Sequence, residues 1–352
     1  MFSDSAYEAL VPLGWDERVA TLFDSVASAE HEPARVGRVD RDRCTVRTAS
    51  GQLRASADVL PTTGDWVALR RRPAPAVEAI IPRWSSLERE GQVLAADIDV
   101  VFVVAALDRP LNLNRIEREL VLAWDSGARP VVLLTKADSA ADAAELAETV
   151  AARAVGTDVV LTSASDGRGV DEVLAHLRPN RTAVLLGPSG AGKSTLVNRL
   201  LSEEAQVTAD VRSGDHKGRH TTSSRHLLVI PGGGVLIDTP GLRSVGLTGA
   251  EGGVALAFPD IEEMAEGCRF RDCRHAGEPG CAVVEAVASG GLDAERVASY
   301  TKVAGELEES TKQPWAKAAD NQQSRIVHRA TQKRPKKDPG GSASLSAGPP
   351  QR

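Results

Sequence analysis

Gly187-Pro188-Ser189-Gly190-Ala191-Gly192-Lys193-Ser194-Thr195 carries the clearest chemistry in the sequence. It matches G-x-x-x-x-G-K-[ST] between an apolar segment, AVLLG (183–187), and a helical stretch that begins near Lys193. Glycines at this spacing let backbone N–H groups curl around a phosphate chain, and the helix N-terminus adds the positive end of its dipole. Lys193 can reach the β- and γ-phosphates, and the Ser194 hydroxyl can ligate Mg²⁺. Asp238 ends the apolar run of GGVLIDTPG (233–241), where the metal-facing acid of such a site belongs. Gly241 follows three residues later, with a backbone N–H able to sense a γ-phosphate.

A phosphate loop does not choose between adenine and guanine. Thr135-Lys136-Ala137-Asp138 ends PVVLLTKAD (130–138), and Thr162-Ser163-Ala164 ends the next strand-like run, DVVLTSAS (158–165). Asp138 could accept two hydrogen bonds from the guanine N1–H and exocyclic amine, a pair adenine cannot donate. Lys136 would cover the base with its alkyl stem, and Ser163-Ala164 could present a backbone N–H to the guanine O6. T-K-x-D alone is a weak signal; the tandem at successive strand ends is specific. Thr135 stands where Asn is usual: a hydroxyl takes the amide's place, the amide's second polar group is lost, and a looser hold on the base is predicted. Both base motifs precede the phosphate loop, the reverse of the ordinary order. Sheet contacts survive such a permutation because the termini of compact domains often lie close together.

Lys217-Gly218-Arg219-His220-Thr221-Thr222-Ser223 has the polar character of a switch. One threonine should complete the Mg²⁺ shell, Thr222 in preference to Thr221. After DTPG comes Leu242, where many such enzymes place a water-orienting Gln, and a leucine cannot position water. His220 is the nearest candidate to do so, as imidazole acceptor or general base. By spacing alone a solvated loop histidine is an equal reading.

Three of the four cysteines, Cys268, Cys273 and Cys281, fall with His275 inside 14 residues. Three thiolates and an imidazole make a closed tetrahedral set, structural rather than catalytic. The intervening CRFRDCRHAGEPGC has so little apolar material that a metal would have to hold its shape. Cys44, isolated in an apparent strand, reads as a small buried apolar residue.

The elements that must position these groups follow from pattern. Residues 1–32 read as an acidic, partly helical lead-in. From 33 to 83, short alternating segments (ARVGRVDRD, CTVRTASG, LRASADVL, DWVALRR) form a small antiparallel β module, with Gly64 and Asp65 turning the chain into Trp66. An OB-like barrel fits its length and its basic residues Arg35, Arg38, Arg41, Arg70, Arg71 and Arg72, but composition does not choose between barrel and sandwich. From 84 to 250 the pattern is β/α: IDVVFVVAAL (98–107) is a strand buried on both faces, and strands alternate with helices near 114–126, 139–154, 169–177 and after 193. The expectation is a mostly parallel, doubly wound α/β sheet. Small helices surround the Cys/His cluster in 251–309, and 310–352 is a basic, Gly/Pro/Ser-rich tail expected to be disordered.

The chain has 352 residues, 42% hydrophobic, 26% charged and only 3% aromatic, so its cores must be built from Val, Leu, Ala and Ile. No apolar run is long enough to cross a bilayer and no secretory pattern opens the chain, which predicts a cytoplasmic protein without a membrane partner. A net charge of −6 opposes whole-molecule attraction to nucleic acid, yet Lys312 to Lys337 hold eight Lys/Arg against Asp320 alone. Nothing indicates an obligate dimer.

The set PTTGDWV (61–67), TKAD (135–138), GPSGAGKST (187–195), GRHTTS (218–223), DTPGL (238–242) and CRFRDCRHAGEPGC (268–281) resembles the ribosome small subunit-dependent GTPase A family over about residues 33–305. The resemblance implies an OB-fold, a circularly permuted GTPase domain and a small C-terminal zinc-binding helical domain. It implies GTP hydrolysis stimulated by the small ribosomal subunit during late maturation, with GTP or GDP on 135–138 and 187–195. It places one structural Zn²⁺ on Cys268, Cys273, His275 and Cys281, and the family's catalytic histidine falls on His220. Rival readings are an RNA-binding scaffold with nucleotide as a folding ligand, a P-loop ATPase, and a GTPase acting on another RNA.

Overall fold

The structure is a computed structural model. It describes residues 7–40, 43–89, 91–202, 225–238, 247 and 250–312. Residues 1–307 form one compact unit and 308–352 a second.

The lead-in opens with a 3-10 turn (Glu8–Leu13) and helix α1 (Glu17–Asp24), capped by the Asp16 carboxylate, which accepts from the Val19 N–H at 2.9 Å. Strands β1 (His31–Val39), β2 (Arg43–Thr48), β3 (Gly51–Ala57), β4 (Trp66–Arg70) and β5 (Ala76–Ile80) close into a barrel in the order β1-β2-β3-β5-β4. The β3–β5 pair is parallel and the rest antiparallel, giving the five-stranded OB-like closure. Alternation fills its interior with Ala34, Val36, Val46, Ala55, Val67, Leu69 and Val77. Cys44 joins them fully buried, its thiol facing the Ala55 carbonyl at 3.8 Å and pushed by burial up to about 11. It is the inert, apolar cysteine expected.

The PTTGDWV turn has a physical explanation. The Asp65 carboxylate accepts from the Thr62 N–H at 2.6 Å and from Arg83 at 2.6 and 2.8 Å. Gly64 sits at φ +101°, and a Cβ there would strike the Ala96 carbonyl oxygen. Arg35 departs from the sequence reading, which grouped it with the basic barrel residues. It is 1% exposed and donates to the carbonyls of Leu13, Gly64 (3.0 Å) and Asp97 (3.1 Å) and to the Thr182 hydroxyl (2.8 Å). Four acceptors from separate segments justify the burial of a guanidinium, which clamps the barrel to the sheet. Beside it, burial pushes the Asp97 carboxyl up to about 7 against the pull of Arg35.

A short hairpin, β6 (Ser86–Arg89) and β7 (Gln92–Ala96), connects barrel to sheet. Strands this short, with a bulge between Leu87 and Glu88, leave too few alternations to register as a pattern. The sheet contains β8 (Val100–Ala106), β9 (Arg129–Thr135), β10 (Asp158–Leu161), β11 (Thr182–Leu186), β12 (His226–Ile230) and β13 (Gly234–Asp238) in the order β10-β9-β8-β11-β13-β12. It is parallel except for the edge strand β12, which pairs antiparallel with β13. Counted from β11, the same sheet reads 2-3-1-4-5-6, a doubly wound order beginning part-way through the chain. Helices α2 (Leu113–Asp125), α3 (Ala143–Arg153), α4 (Val170–Leu177) and α5 (Lys193–Ser202) complete the layers. One face of the sheet packs under α2 and α3 and the other under α4 and α5.

Helices α6 (Glu251–Ala257), α7 (Pro259–Ala265), α8 (Ala282–Ala288) and α9 (Ala294–Lys312) follow. At Gly253, α6 approaches α2 so closely that a Cβ would meet the Val121 carbonyl oxygen. Glu117 of α2, 1% exposed, accepts from Arg153 of α3 at 3.2 Å and from Arg296 of α9 at 3.1 Å. Arg296 also makes a bidentate pair with Asp260 of α7, both bonds at 2.7 Å. Removing one partner of a buried ion cluster leaves uncompensated charge. Glu117→Ala is therefore expected to cost about 3–5 kcal/mol in equilibrium urea unfolding, far more than an exposed glutamate would. A loss near zero would show that the two guanidiniums find other partners.

Candidate nucleotide and metal sites

After β11 the chain continues to β12 and β13 on one side of the sheet, and after β8 it crosses to β9 on the other. The crevice lies where those directions part, at the C-terminal ends of β8, β9 and β11. Gly187 follows β11 at φ +143°, where a Cβ would strike the Val104 carbonyl oxygen, so the loop can pass β8 only as glycine. The Lys193 ammonium donates to the carbonyls of Gly187 (2.7 Å) and Pro188 (2.8 Å), folded over the loop it belongs to. Ser189, Gly190, Ser194 and Thr195 are exposed along the crevice, while Ala191 is buried as the loop's packing residue.

Thr135 ends β9 with its hydroxyl donating to the Ala191 carbonyl at 2.6 Å and lying 3.3 Å from that of Ala105. The hydroxyl that threonine shares with no amide is thus spent joining the base motif to the phosphate loop. Lys136 adopts a left-handed conformation (φ +59°) and leads into a 3-10 turn, Ala137–Ser139. Its ammonium donates to the Gly190 carbonyl at 2.9 Å and to Asp108 at 2.6 Å. Asp138 is exposed at the cavity edge, and hydrogen bonds from the Ser163 and Ser165 hydroxyls hold its carboxyl below the usual range. A cavity of about 180 Å³ is walled by Thr135, Lys136, Asp138 and Ala164 together with Gly192 and Thr195. The base motifs and the phosphate loop therefore face one space. A larger cavity, about 300 Å³, opens between α2 and α9, and of the crevice strands it touches only Leu186.

Asp238 is exposed at the end of β13, on the strand next to β11. His220, Thr221, Thr222, Gly241 and Leu242 lie outside the described residues.

The four donor atoms of Cys268, Cys273, His275 and Cys281 lie within 4.8 Å of one another. Cys268 and Cys281 sulfurs are 3.9 Å apart, and His275 Nδ1 is 3.6 and 3.3 Å from them. Tetrahedral coordination with metal–sulfur bonds of about 2.3 Å and metal–nitrogen bonds near 2.0–2.1 Å requires edges of about 3.8 and 3.6 Å. The set fits a metal ion. The loop is shaped for it: His275 takes φ +57°, and the Glu278 carboxylate closes the turn by accepting from the N–H groups of Arg274 (3.0 Å) and Ala276 (2.8 Å). Cys281 also caps α8, its sulfur accepting from the Val284 N–H at 3.5 Å. Arg269, Phe270, Arg271 and Arg274 are exposed on the same loop.

The RsgA GTPase profile matches residues 80–248. A small ribosomal subunit biogenesis GTPase RsgA from Streptomyces coelicolor is 49% identical over 320 residues, covering 86% of this chain and 87% of that one. The chain belongs to the RsgA GTPase family. The relative of the same name from Opitutus terrae is 42% identical over 325 residues, 84% of this chain and 88% of its own. YjeQ from Thermotoga maritima shares the fold with a TM-score of 0.62 at 24% identity, covering 79% of this chain and 98% of that one. YloQ, described as a circularly permuted GTPase, gives 0.60 at 23% identity over 80% and 96%. The RsgA fold, a permuted GTPase sheet with an OB-like barrel before it and a Cys₃His module after it, is the architecture described above.

Within this RsgA-family GTPase the structure adds residues the motifs did not mark. Ser165 joins Ser163 on the Asp138 carboxylate, and in the turn after β8 Arg109 reaches the Gly190 carbonyl of the phosphate loop while Asp108 pairs with Arg109 and Lys136. The available signal was topological: β8 neighbours the phosphate-loop strand, so whatever follows its C-terminal end must lie at the crevice.

Proposed function

We propose that this GTPase binds the small ribosomal subunit, assists its late maturation and hydrolyses GTP slowly alone and faster when subunit-bound. The observation that carries the reading is the single cavity shared by guanine-type and phosphate-type recognition groups. Asp138 accepts from the guanine edge, Lys136 covers the base and Ser163-Ala164 offer a backbone N–H to O6. The loop 187–195 cradles the phosphates, and Lys193 swings from its loop carbonyls onto them. Ser194, Asp238 and Thr222 hold Mg²⁺, which would neutralise charge on the β- and γ-phosphates. Gly241 senses the γ-phosphate. His220 orients the attacking water, a role Leu242 cannot fill, and RNA contacts order the switch that carries it.

The Cys₃His set holds one structural Zn²⁺, as its thiolate-rich donors favour. Arg269, Arg271 and Arg274 around it give an otherwise acidic chain a local surface for rRNA phosphates. The division into a lead-in (1–32), RNA-binding barrel (33–83), GTPase domain (84–250), zinc domain (251–309) and tail (310–352) belongs to the same proposal. So do a monomeric state and a cytoplasmic location; among the described residues no helix is long and apolar enough to cross a membrane.

The deciding experiment is single-turnover GTP hydrolysis with and without small subunits, paired with co-sedimentation in a non-hydrolysable GTP analogue. Stimulation by small but not large subunits supports the reading, and no stimulation rejects it in favour of a scaffold. In the same assay His220→Ala is expected to abolish the stimulated rate while GTP affinity stays within about twofold, since a water-orienting group acts on the reacting bond and not on the base. Unchanged stimulated turnover would remove His220 from the chemistry.

A further inference from the structure

The turn after β8 matches none of the nucleotide motifs, yet it brings charge directly to the phosphate loop. The Asp108 carboxylate accepts from Lys136 Nζ at 2.6 Å and from Arg109 Nε at 2.9 Å. Both of those cations also donate to one acceptor, the Gly190 carbonyl: Lys136 at 2.9 Å and Arg109 at 3.3 Å. One carboxylate thus gathers its neighbour Arg109 and Lys136, which lies just past β9, and sets both on the same peptide of the loop after β11. The two cations hold the Asp108 carboxyl down at about 2, Arg109 acting most strongly and Lys136 next.

The arrangement bears on the base because of where Lys136 sits. It occupies a left-handed conformation, uncommon for a residue with a side chain, and the turn carrying Asp138 begins immediately after it. A lysine ammonium is a point charge on a flexible four-carbon stem and stays in one place only if partners surround it. With Asp108 present, Lys136 is gripped from two sides. Without it, a single carbonyl shared with Arg109 remains.

We propose that Asp108 is a positioning residue for guanine-nucleotide binding: it holds Lys136 and Arg109 against the Gly190 carbonyl and so sets the spacing between the base-recognition turn and the phosphate loop. The proposal rests on the reading of this cavity as the GTP site, and it requires no contact between Asp108 and the nucleotide. The strut crosses the crevice once for either nucleotide, so it acts on GTP and GDP alike. Asp108 is not among the groups assigned to Mg²⁺, to the γ-phosphate or to the attacking water, so turnover at saturation is expected to stay unchanged.

The test is stopped-flow release of a fluorescent guanine nucleotide from the full-length chain. Asp108→Asn is expected to raise the release rate of GDP and of a non-hydrolysable GTP analogue by a similar factor, about tenfold, as two partly exposed ion pairs allow. The rate at saturating GTP and the thermal midpoint of the nucleotide-free protein should stay at wild-type values, and Asp108→Glu should recover much of the loss. The wild-type release rate should rise with salt, and that of Asp108→Asn much less, because screening acts on the pairs the substitution removes. Wild-type release from Asp108→Asn overturns the proposal. So does a lowered midpoint of the nucleotide-free protein that accounts for the loss, and so do fully additive effects of Asp108→Asn and Lys136→Ala. If the unaltered chain binds no guanine nucleotide, the reading of the cavity falls first and the proposal with it; if it binds normally and Asp108→Asn does too, only the proposal falls.

Discussion

Asp138→Asn is expected to weaken GTP binding by about a hundredfold or more while leaving the nucleotide-free fold intact. The carboxylate would accept two hydrogen bonds from guanine, and bonds to a charged group contribute about 1.5–3 kcal/mol each. Losing that pair, and facing the guanine amine with an amide donor, corresponds to at least two orders of magnitude in affinity. Stability should hardly respond, because Asp138 is exposed and its partners, the Ser163 and Ser165 hydroxyls, can bond to the amide or to water. Titration calorimetry with GTP, ATP and xanthosine triphosphate checks this directly. The variant should lose its preference for GTP over ATP and gain for xanthosine triphosphate, whose C2 carbonyl accepts from the new amide. Unaltered discrimination between guanine and adenine would remove Asp138, and the base-site reading, from the cavity.

The second large effect concerns the metal. Chelation of the proposed zinc, or Cys273→Ser, is expected to unfold the loop 268–281 and release α8 from its Cys281 cap. Structural zinc in small modules contributes about 10–16 kcal/mol of apparent folding free energy, as much as an entire domain's net stability. Apolar support in the loop is sparse: Arg269, Phe270, Arg271 and Arg274 are exposed, and among the ligands only Cys281 is buried. The disturbance should spread to α9 through Tyr300, whose ring lies 5.9 Å from His275 and 5.5 Å from Phe258 and whose hydroxyl donates to Glu262 at 3.0 Å. Hydrogen exchange should rise across 268–290 and at Tyr300, with one metal equivalent released per chain, while β8, β9 and β11 stay protected. Unchanged exchange after complete metal removal would mean that the loop holds its own shape.

Much of this was readable without coordinates because the relevant information is local. A glycine-rich loop after an apolar strand, an acid three residues past a threonine, and three cysteines with a histidine inside 14 residues are short-range patterns. Their chemistry depends on spacing that the chain itself enforces. The permuted order was equally legible, being only the order of motifs along the chain. The OB-like barrel was half legible: alternation marked strands, while closure depended on β1 finding β4 and β3 finding β5.

The sequence by itself marked the candidate residues for phosphate, base and metal, since each set is contiguous or nearly so. Only the tertiary structure decided which charges hold those sets together. Arg35 reaches Thr182 across 147 positions, and Arg296 reaches Glu117 across 179. Asp108, an ordinary acid in a turn, became the partner of Lys136 because β8 and β9 lie side by side in the sheet. A buried or bridging ion pair has no period and no neighbour rule: its partners are chosen by the packing of elements distant along the chain, and its strength depends on the burial that packing creates.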